Sequence, residues 1–259
     1  VDTGVGERVA TRWRLGEDDT DVISGLFDDS TVGTTPLAAG GRVVHGAPDG
    51  SIVARDASSG RRQWRFAVSF GIDGFAVGEH VYVAEYAGSV HAVDPVDGRV
   101  DWTHGENGAW SGVATADGDV FVTDGRGVTA LDASGGERRW LSDDGDETEI
   151  RVDASVPTVV DDRVLLAGAD AVYGFDRETG ERVWKRSLDV AHVRHVAAAA
   201  DLALVSTSGD GLVAVDAATG RTAWEHRFAE SWAVGPPVVA DGRVYVVVGE
   251  ELVCLEGSR

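Results

Sequence analysis

The sequence predicts an all-β protein built from repeated four-stranded sheets, and three observations support this prediction. A spacing of Asp, three residues, Gly, three residues and Trp recurs without a slip. Each copy follows two short Val-rich runs bounded by Gly, Asp and Ser, which is typical of strands and turns. Helical periodicity is absent over almost the whole chain. The five copies of the motif are Asp56–Gly60–Trp64, Asp94–Gly98–Trp102, Asp132–Gly136–Trp140, Asp176–Gly180–Trp184 and Asp216–Gly220–Trp224.

Each motif residue has a structural role in such a repeat. The Asp can accept hydrogen bonds from the backbone N–H groups of its own turn, and the Gly supplies the positive φ that the turn needs. The Trp, on the fourth strand, offers a large flat apolar surface. A single sheet cannot bury both of its faces, but neighbouring copies can cover one another. The repeat therefore predicts a β-propeller.

The paired strand runs predict six blades of four-stranded antiparallel sheet. A small-residue segment such as Thr35–Ala38 or Pro157–Val160 precedes a pair and predicts the inner strand. The first five blades are expected to end near Phe66, His104, Ser142, Ser187 and Phe228. The paired runs are 42–45 with 51–55, 80–83 with 89–93, 119–122 with 128–131, 163–166 with 171–175, 202–205 with 212–215, and 243–248 with 252–255.

The two ends of the chain are expected to share one blade. The sixth pair of runs lacks a Trp strand after it, and the N-terminal run Arg8–Arg14 carries an orphan Trp13. This predicts that the N-terminal strand joins the last blade and closes the ring. A seven-bladed ring stays open as an alternative, because the Asp and Gly are not at their usual distances before Trp13. No linker divides residues 1–259, so one domain is predicted.

Charge is the strongest signal in the composition. The net charge is −21, and Lys185 is the sole lysine among 23 basic residues. Acidic excess with so little Lys resembles proteins of extreme halophiles, haloarchaea above all. Closely spaced carboxylates repel one another in dilute buffer, and the Debye length of about 3 Å at 1 M salt screens that repulsion. Nucleic-acid binding is excluded on the same ground.

Targeting and redox signals are sparse. No apolar run approaches membrane-spanning length and no signal peptide is present. The absence of Met predicts a mature or excised fragment. An extracellular or cell-surface location in a high-salt environment and a monomeric state are favoured. The single cysteine, Cys254, lies in a predicted strand, which predicts a buried thiol and excludes an internal disulfide.

The repeat resembles the PQQ-enzyme type of propeller repeat, with strand, Ala-(Val/Leu)-Asp, x-x-Thr-Gly and x-x-x-Trp. The clearest copies are Ala214–Trp224 and Phe175–Trp184. The resemblance implies that each Trp docks between adjacent blades, a tryptophan-docking motif. The family includes quinone-dependent alcohol dehydrogenases. It also includes proteins that hold no cofactor, such as the lipoprotein of the outer-membrane assembly machine and sensor domains.

The quinone enzymes of this family resemble larger eight-bladed rings with additional site residues. They carry an adjacent Cys-Cys pair near the quinone and a calcium site of Glu, Asn and Asp. This chain has one cysteine, and Asn107 is its only Asn. The cofactor residues are therefore not matched, and no cofactor is predicted. PQQ with calcium stays the alternative, in which Trp110 or Trp232 would stack on the quinone and nearby Asp residues would hold calcium.

Candidate ligand-binding residues lie in the connections between blades, at the mouth of the central channel. Trp110 and Trp232 are the Trps outside the motif and the closing strand. They would suit a peptide or a flat ligand if exposed, or else pack over the end of the core. The polar candidates at the same face are Asp73, Arg151, Asp153, Arg194 and His195.

Other chemistries have weaker support. His192 and His195 with a carboxylate have the residue types of a transition-metal site, but not a strong spacing, and no metal is predicted. Arg151, Arg194 and His195 could instead hold an anion. The loop Asp143–Glu149 is rich in oxygen ligands without a full calcium-loop spacing, and a solvated insertion is the preferred interpretation. No sequence context marks a nucleophile. The sequence therefore favours a non-catalytic binding or scaffold module, with a quinoprotein-like oxidoreductase and a sensor domain of a larger protein as alternatives.

Overall fold

The structure is a computed structural model of the 259-residue chain. It describes residues 12–13, 36–47, 49–68, 71–86, 88–105, 112–123, 127–142, 156–188, 192–208, 211–228 and 234–256. The regular elements in these ranges are 23 β-strands. Among the same residues, no helix has the length and apolar character that a membrane span requires.

The strands form six antiparallel sheets, here numbered 1 to 6 in chain order, and within each sheet consecutive strands are neighbours. Sheet 1 holds β1 Leu37–Ala39, β2 Arg42–Gly46, β3 Ile52–Asp56 and β4 Arg62–Phe66. Sheet 2 holds β5 Ile72–Val77, β6 Val81–Glu85, β7 Ser89–Val93 and β8 Val100–Gly105. Sheet 3 holds β9 Gly112–Ala116, β10 Asp119–Thr123, β11 Val128–Asp132 and β12 Arg138–Leu141.

The remaining three sheets continue the same order. Sheet 4 holds β13 Thr158–Val160, β14 Arg163–Ala167, β15 Ala171–Asp176 and β16 Arg182–Ser187. Sheet 5 holds β17 Val193–Ala199, β18 Leu202–Thr207, β19 Gly211–Asp216 and β20 Thr222–Arg227. Sheet 6 holds β21 Val238–Ala240, β22 Arg243–Val248 and β23 Glu251–Leu255, which are three strands within the described residues. The all-β prediction and the positions of the six strand pairs are confirmed.

Apolar side chains are buried between consecutive sheets. Each of five buried clusters joins one sheet to the next, from sheets 1 and 2 to sheets 5 and 6. Between sheets 3 and 4, for example, Phe121 and Trp140 pack with Leu166 and Phe175. Burial of one such large side chain stabilises the fold by about 1.5–3 kcal/mol. The sheets therefore stack face to face along the chain, as the repeat predicts.

Two classes of turn lie at the same end of sheets 1 to 5. In sheets 1 to 5 the turn between the third and fourth strands carries the Asp–Gly motif, and in sheets 1, 3, 4 and 5 a backbone N–H of this turn donates to a carbonyl of the turn between the first and second strands. In sheet 3 the Ala133 N–H donates to Gly118 O at 3.0 Å, and in sheet 5 the Ala217 N–H donates to Asp201 O at 2.9 Å. We call this end the Asp–Gly end. The turns between second and third strands, and the connections between sheets, therefore lie at the opposite end, which we call the mouth end.

Sheet 6 differs from the other sheets in its burial. Its third strand β23 is largely exposed, whereas β3, β11 and β15 are almost fully buried. Leu252 is 71% exposed. Cys254 is exposed as well, so the prediction of a buried thiol is wrong. The physical reason is that β23 is the outermost strand of its sheet in the described part of the chain.

The predicted N-terminal closing strand lies mostly outside the described residues. Of Arg8–Arg14 the structure describes Arg12 and Trp13, and neither is assigned to a strand.

Candidate functional site

The Asp–Gly turns use their carboxylates to hold their own backbone. Asp56 Oδ1 accepts hydrogen bonds from the Ser58 N–H at 3.1 Å and the Ser59 N–H at 2.8 Å. The hydroxyls of Ser58 and Ser59 donate to the same oxygen at 2.6 and 2.7 Å. These donors stabilise the charged form, and the hydroxyls of Ser58 and then Ser59 contribute most to lowering the pKa of Asp56 to about 2.

The other four motif carboxylates show the same arrangement. Each accepts backbone N–H groups of its own turn, and the pKa of each is lowered. The largest cause is the Asp97 backbone N–H for Asp94, the Ser134 hydroxyl for Asp132, the Thr179 backbone N–H for Asp176 and the Thr219 hydroxyl for Asp216. Carboxylates held in this way are parts of the scaffold.

The motif tryptophans connect one sheet to the Asp–Gly turn of the next. The Trp64 indole N–H donates to Pro95 O at 3.0 Å, and its ring covers Gly98, where an added Cβ would lie 2.7 Å from Trp64 Cγ. The acceptor is always the residue after the motif Asp. The equivalent bonds join Trp102 to Ala133 O, Trp140 to Arg177 O and Trp184 to Ala217 O, and the rings cover Gly136, Gly180 and Gly220.

Trp13 makes the same contacts with sheet 1. Its indole N–H donates to Ala57 O at 3.0 Å, and its ring covers Gly60, where an added Cβ would lie 2.8 Å from the ring. The orphan Trp of the N-terminal run therefore occupies, against sheet 1, the place that Trp64 occupies against sheet 2.

Asp73 lies at the mouth end of β5. The pairing of β5 with β6 shifts register between Ile72 and Gly74, so Asp73 is the extra residue of a β-bulge. Bulges re-aim side chains and are frequent beside functional sites. Asp73 is exposed as a residue, yet partial burial of its carboxyl raises the pKa of Asp73. Burial is the sole cause of that rise, and it disfavours the charged form.

The candidates His192, Arg194 and His195 lie at the start of β17 in sheet 5, where a similar β-bulge occurs. The pairing of β17 with β18 shifts register between Val193 and His195, which makes Arg194 the extra residue. His195 and His192 are exposed at the mouth end. The side chain of Arg194 lies outside the described part. In the residues that the structure describes, no group of three His, Cys, Asp or Glu side chains could hold a metal ion.

The remaining sequence candidates lie outside the described residues. These are Trp110, Trp232, Arg151, Asp153 and the loop Asp143–Glu149.

Sequence reasoning missed a buried polar pair at the mouth end. Glu85, at the end of β6, is 8% exposed, and its Oε2 lies 3.2 Å from His91 Nε2. His91 Nδ1 lies 3.0 Å from Thr103 Oγ1, and its ring meets Phe66 edge-on at 5.4 Å. The signal was available, because the second strand run of this copy ends in an acidic residue where other copies have Ala47, Gly168 or Thr207, while Asp124 is the acidic residue at the same place in the third copy.

Sequence reasoning also missed a charged groove of about 460 Å³ at the Asp–Gly end, between sheets 3 and 4. Arg177 Nη1 donates to Asp117 Oδ2 at 2.9 Å, and Arg139 Nε lies 3.0 Å from Asp119 Oδ1. Arg177 stands where other motif copies have Ala or Pro. Because its guanidinium crosses to the neighbouring sheet, the groove is an ionic joint between two repeats.

Comparison with known proteins identifies this architecture. A family model described as outer membrane protein assembly factor BamB matches residues 26–102, 48–188 and 168–256. The BamB of Bordetella pertussis (strain Tohama I) is 28% identical over 231 residues, which cover 76% of this chain and 56% of that protein. The serine/threonine-protein kinase AfsK of Streptomyces coelicolor is 30% identical over 185 residues, which cover 68% of this chain and 22% of the kinase.

A more local match is the lanthanide-dependent methanol dehydrogenase of Methylacidiphilum fumariolicum, 35% identical over 82 residues, or 28% of this chain and 13% of that enzyme. The chain thus spans about half or less of the length of these relatives.

Solved structures agree on the fold. The crystal structure of BamB from Moraxella catarrhalis superposes with a TM-score of 0.64 at 18% identity, covering 85% of this chain and 67% of that one. The computationally designed Ika8 protein superposes with a TM-score of 0.73 at 17% identity, covering 88% of this chain and 71% of that one.

Proposed function

The chain belongs to the PQQ-like repeat propellers of the family described as outer membrane protein assembly factor BamB, and we propose that it is a non-catalytic binding and scaffold module. Its partner is a protein that binds at the mouth end. The Bordetella relative is named an assembly factor, which favours a protein partner over a small substrate. In this proposal the blades number six and the N-terminal strand completes the last of them.

The proposal rests on a structural difference between the two ends of the sheets. At the Asp–Gly end, the five motif carboxylates are bound within their own turns and five indoles bind the next turn. At the mouth end, bulges carry Asp73 and Arg194, and Tyr86 is 60% exposed. Binding residues are commonly carried on connections that a rigid scaffold positions.

Photo-crosslinking tests where the partner binds. A photoreactive amino acid replaces Tyr86 at the mouth end, and in a matched variant it replaces Val96, which is 55% exposed in an Asp–Gly turn. Expression in the organism that encodes the chain should give a discrete protein adduct from position 86 and none from position 96. An adduct from position 96 alone, or no adduct from position 86, overturns the proposal.

The quinoprotein alternative draws on the local match to a methanol dehydrogenase. In that alternative Trp110 or Trp232 stacks on PQQ and neighbouring Asp residues hold calcium. Titration of PQQ with Ca²⁺ into the chain, followed by absorbance and calorimetry, should give neither a spectral change nor binding heat under the main proposal.

A sensor domain is the third possibility. The match to the Streptomyces kinase favours this alternative. It covers 22% of the kinase, so repeats of this kind occur there as part of a longer protein. The complete gene decides between it and a free-standing scaffold.

We also propose a halophilic origin, on the net charge of −21. Molar KCl screens repulsion among the surface carboxylates and should raise the melting temperature strongly. A melting temperature that stays flat from 50 mM to 3 M KCl contradicts this origin.

A further inference from the structure

Asp73 is turned towards sheet 3 by the bulge that carries it. Ile72 and Phe75 both pack against sheet 1, although they lie three residues apart and regular alternation would place them on opposite faces. The extra residue therefore puts Asp73 and Gly74 together on the other face of sheet 2. Gly74 pairs with Ala84, which packs against sheet 3. The Asp73 carboxyl thus lies at the mouth end, on the side of sheet 2 that faces sheet 3.

Tyr86 lies beside Asp73 on the same face. Tyr82 and Ala84 in β6 pack against sheet 3, so alternation along the chain places Tyr86 on that side as well. The Tyr86 N–H donates to Gly71 O at 3.1 Å, which extends the pairing of β5 with β6 by one step. Asp73 follows Gly71 by two residues, and diagonal neighbours of this kind lie about 7–8 Å apart in a regular sheet. The carboxyl group and the phenol ring can therefore contact one ligand group.

Asp73 differs from the other acidic residues that the structure describes at the mouth end of sheets 1 and 2. Asp49, in the turn between β2 and β3, forms an ion pair with Arg65. Glu85 faces sheet 1 instead, where its Oε2 lies 3.2 Å from His91 Nε2. The Asp73 carboxyl makes no hydrogen bond or ion pair with the described residues, and burial alone raises its pKa. A cationic ligand would restore the solvation that this carboxyl has lost.

Tyr86 adds a second feature that suits a cation. Tyr86 is 60% exposed, and no aromatic or cationic side chain in the described part of the chain contacts its ring. The face of such a ring attracts a guanidinium or an ammonium group within about 6 Å of its centre. Arginine fits this pair better than lysine, because its planar guanidinium forms two parallel hydrogen bonds with a carboxylate and also stacks on aromatic rings.

We propose that Asp73 and Tyr86 form a recognition site for an arginine side chain of the protein partner. The carboxylate pairs with the guanidinium, and the phenol ring stacks on it. One carboxylate and one ring on an open surface bind a single side chain, so the remaining affinity comes from other contacts of a protein. A metal ion is not the ligand, because no group of three His, Cys, Asp or Glu side chains among the described residues could hold one. This inference rests on the proposed function of the mouth end and specifies the chemistry of the partner.

A displayed peptide library tests the site without the natural partner. Random peptides are selected on the purified chain in 1 M KCl, where the Debye length of about 3 Å screens diffuse attraction to the net charge of −21. The selected peptides should contain arginine. Replacement of that arginine by citrulline, which keeps the shape and loses the charge, should weaken binding about tenfold or more. Selection of peptides without arginine, or of no peptide, overturns the inference.

Variants of the chain show whether these peptides bind at the proposed site. Asp73→Asn should weaken binding about tenfold, and Tyr86→Leu should weaken it about two- to fivefold. Tyr86→Phe keeps the ring and should bind like the wild type. The matched control is Asp49→Asn, because that mouth-end carboxylate already has Arg65 as its partner. Circular dichroism checks that each variant is folded. Unchanged binding in Asp73→Asn, or an equal loss in Asp49→Asn, overturns the inference.

The photo-crosslinking experiment separates this inference from the proposed function. An adduct from position 86 that forms equally well in an Asp73→Asn background overturns the arginine site and leaves the mouth end as the binding face. The absence of any adduct from position 86, together with arginine peptides that require Asp73, removes the proposed function and leaves the arginine site standing.

Discussion

The aspartates at the two ends of the sheets differ in what surrounds their carboxyl groups. At the Asp–Gly end, Asp56 receives two backbone N–H groups and two hydroxyls, and its pKa falls to about 2. At the mouth end, Asp73 sits in a bulge, and burial raises its pKa. The same residue type is stabilised as an anion at one end and destabilised at the other.

This difference separates scaffold from candidate site. A carboxylate that its own turn satisfies gains little from a ligand, whereas a partly buried carboxylate gains from any cationic group that restores its lost solvation. A carboxyl group whose pKa is perturbed by burial is a candidate for a functional site, although structural groups show such shifts too. The comparison therefore favours the mouth end for binding. Three predictions test the distinction between scaffold and candidate site, beginning with the most rigid contact at the Asp–Gly end.

Substitution of the glycine under a motif Trp should have the largest effect. Gly98 has a φ of +77°, and a Cβ there would lie 2.7 Å from Trp64 Cγ. Gly98→Ala should cost about 1–2 kcal/mol for the left-handed backbone and about 1–3 kcal/mol more for overpacking against the indole. Unfolding by urea in molar KCl measures the loss.

Gly41 provides the matched control for Gly98. Its φ is +76°, and nothing lies within 4 Å of an added Cβ. Gly41→Ala should therefore cost the backbone contribution alone, about 1–2 kcal/mol. Equal losses in the two variants would show that the indole does not hold the turn.

Loss of one indole hydrogen bond should have an intermediate effect. Trp64→Phe keeps an aromatic ring but leaves Pro95 O without the N–H that it accepts at 3.0 Å. Pro95 is half-buried, and the net contribution of a typical hydrogen bond is about 0.5–1.5 kcal/mol. Trp184→Phe removes the equivalent bond to Ala217 O at 2.9 Å and should cost the same. Losses that differ by more than about 1 kcal/mol, the spread expected of one hydrogen bond, would mean that the joints are not equivalent.

The repeat made most of the fold predictable because side-chain alternation, turn chemistry and Trp spacing all point to the same sheets. The strand pairs and the ends of five sheets follow from it directly. The bulge at Asp73 does not, because a bulge arises from the register between two strands and no single run reveals it. The exposure of Cys254 was not predictable for a related reason. Burial of this side chain depends on what covers sheet 6, and the local pattern around Cys254 resembles that of any buried strand.

The ionic joint at Arg177 illustrates a different limit. The residue breaks the repeat visibly, since Ala or Pro stands at this place in the other motif copies. Its target was not predictable, because Asp117 lies 60 residues away in the preceding sheet. Sequence patterns locate an exception to a repeat more readily than they identify its partner.

The smallest expected effect is the one that compares the two ends most directly. The lowered pKa of Asp56 means that its charged form stabilises the fold above pH 3.8, and this contribution is lost as the pH falls from there toward about 2. Asp73 has the opposite sign: its raised pKa means that the charged form destabilises the fold at neutral pH, and the cost disappears as the pH falls through the raised value. At pH 7, Asp56→Asn should therefore lower the melting temperature and Asp73→Asn should raise it slightly. Both differences should shrink in acid, measured by thermal melts at constant ionic strength between pH 7 and pH 2. A lower melting temperature for Asp73→Asn at pH 7 would mean that its carboxylate is held by the scaffold like those of the turns, and the mouth end would lose its best-described candidate.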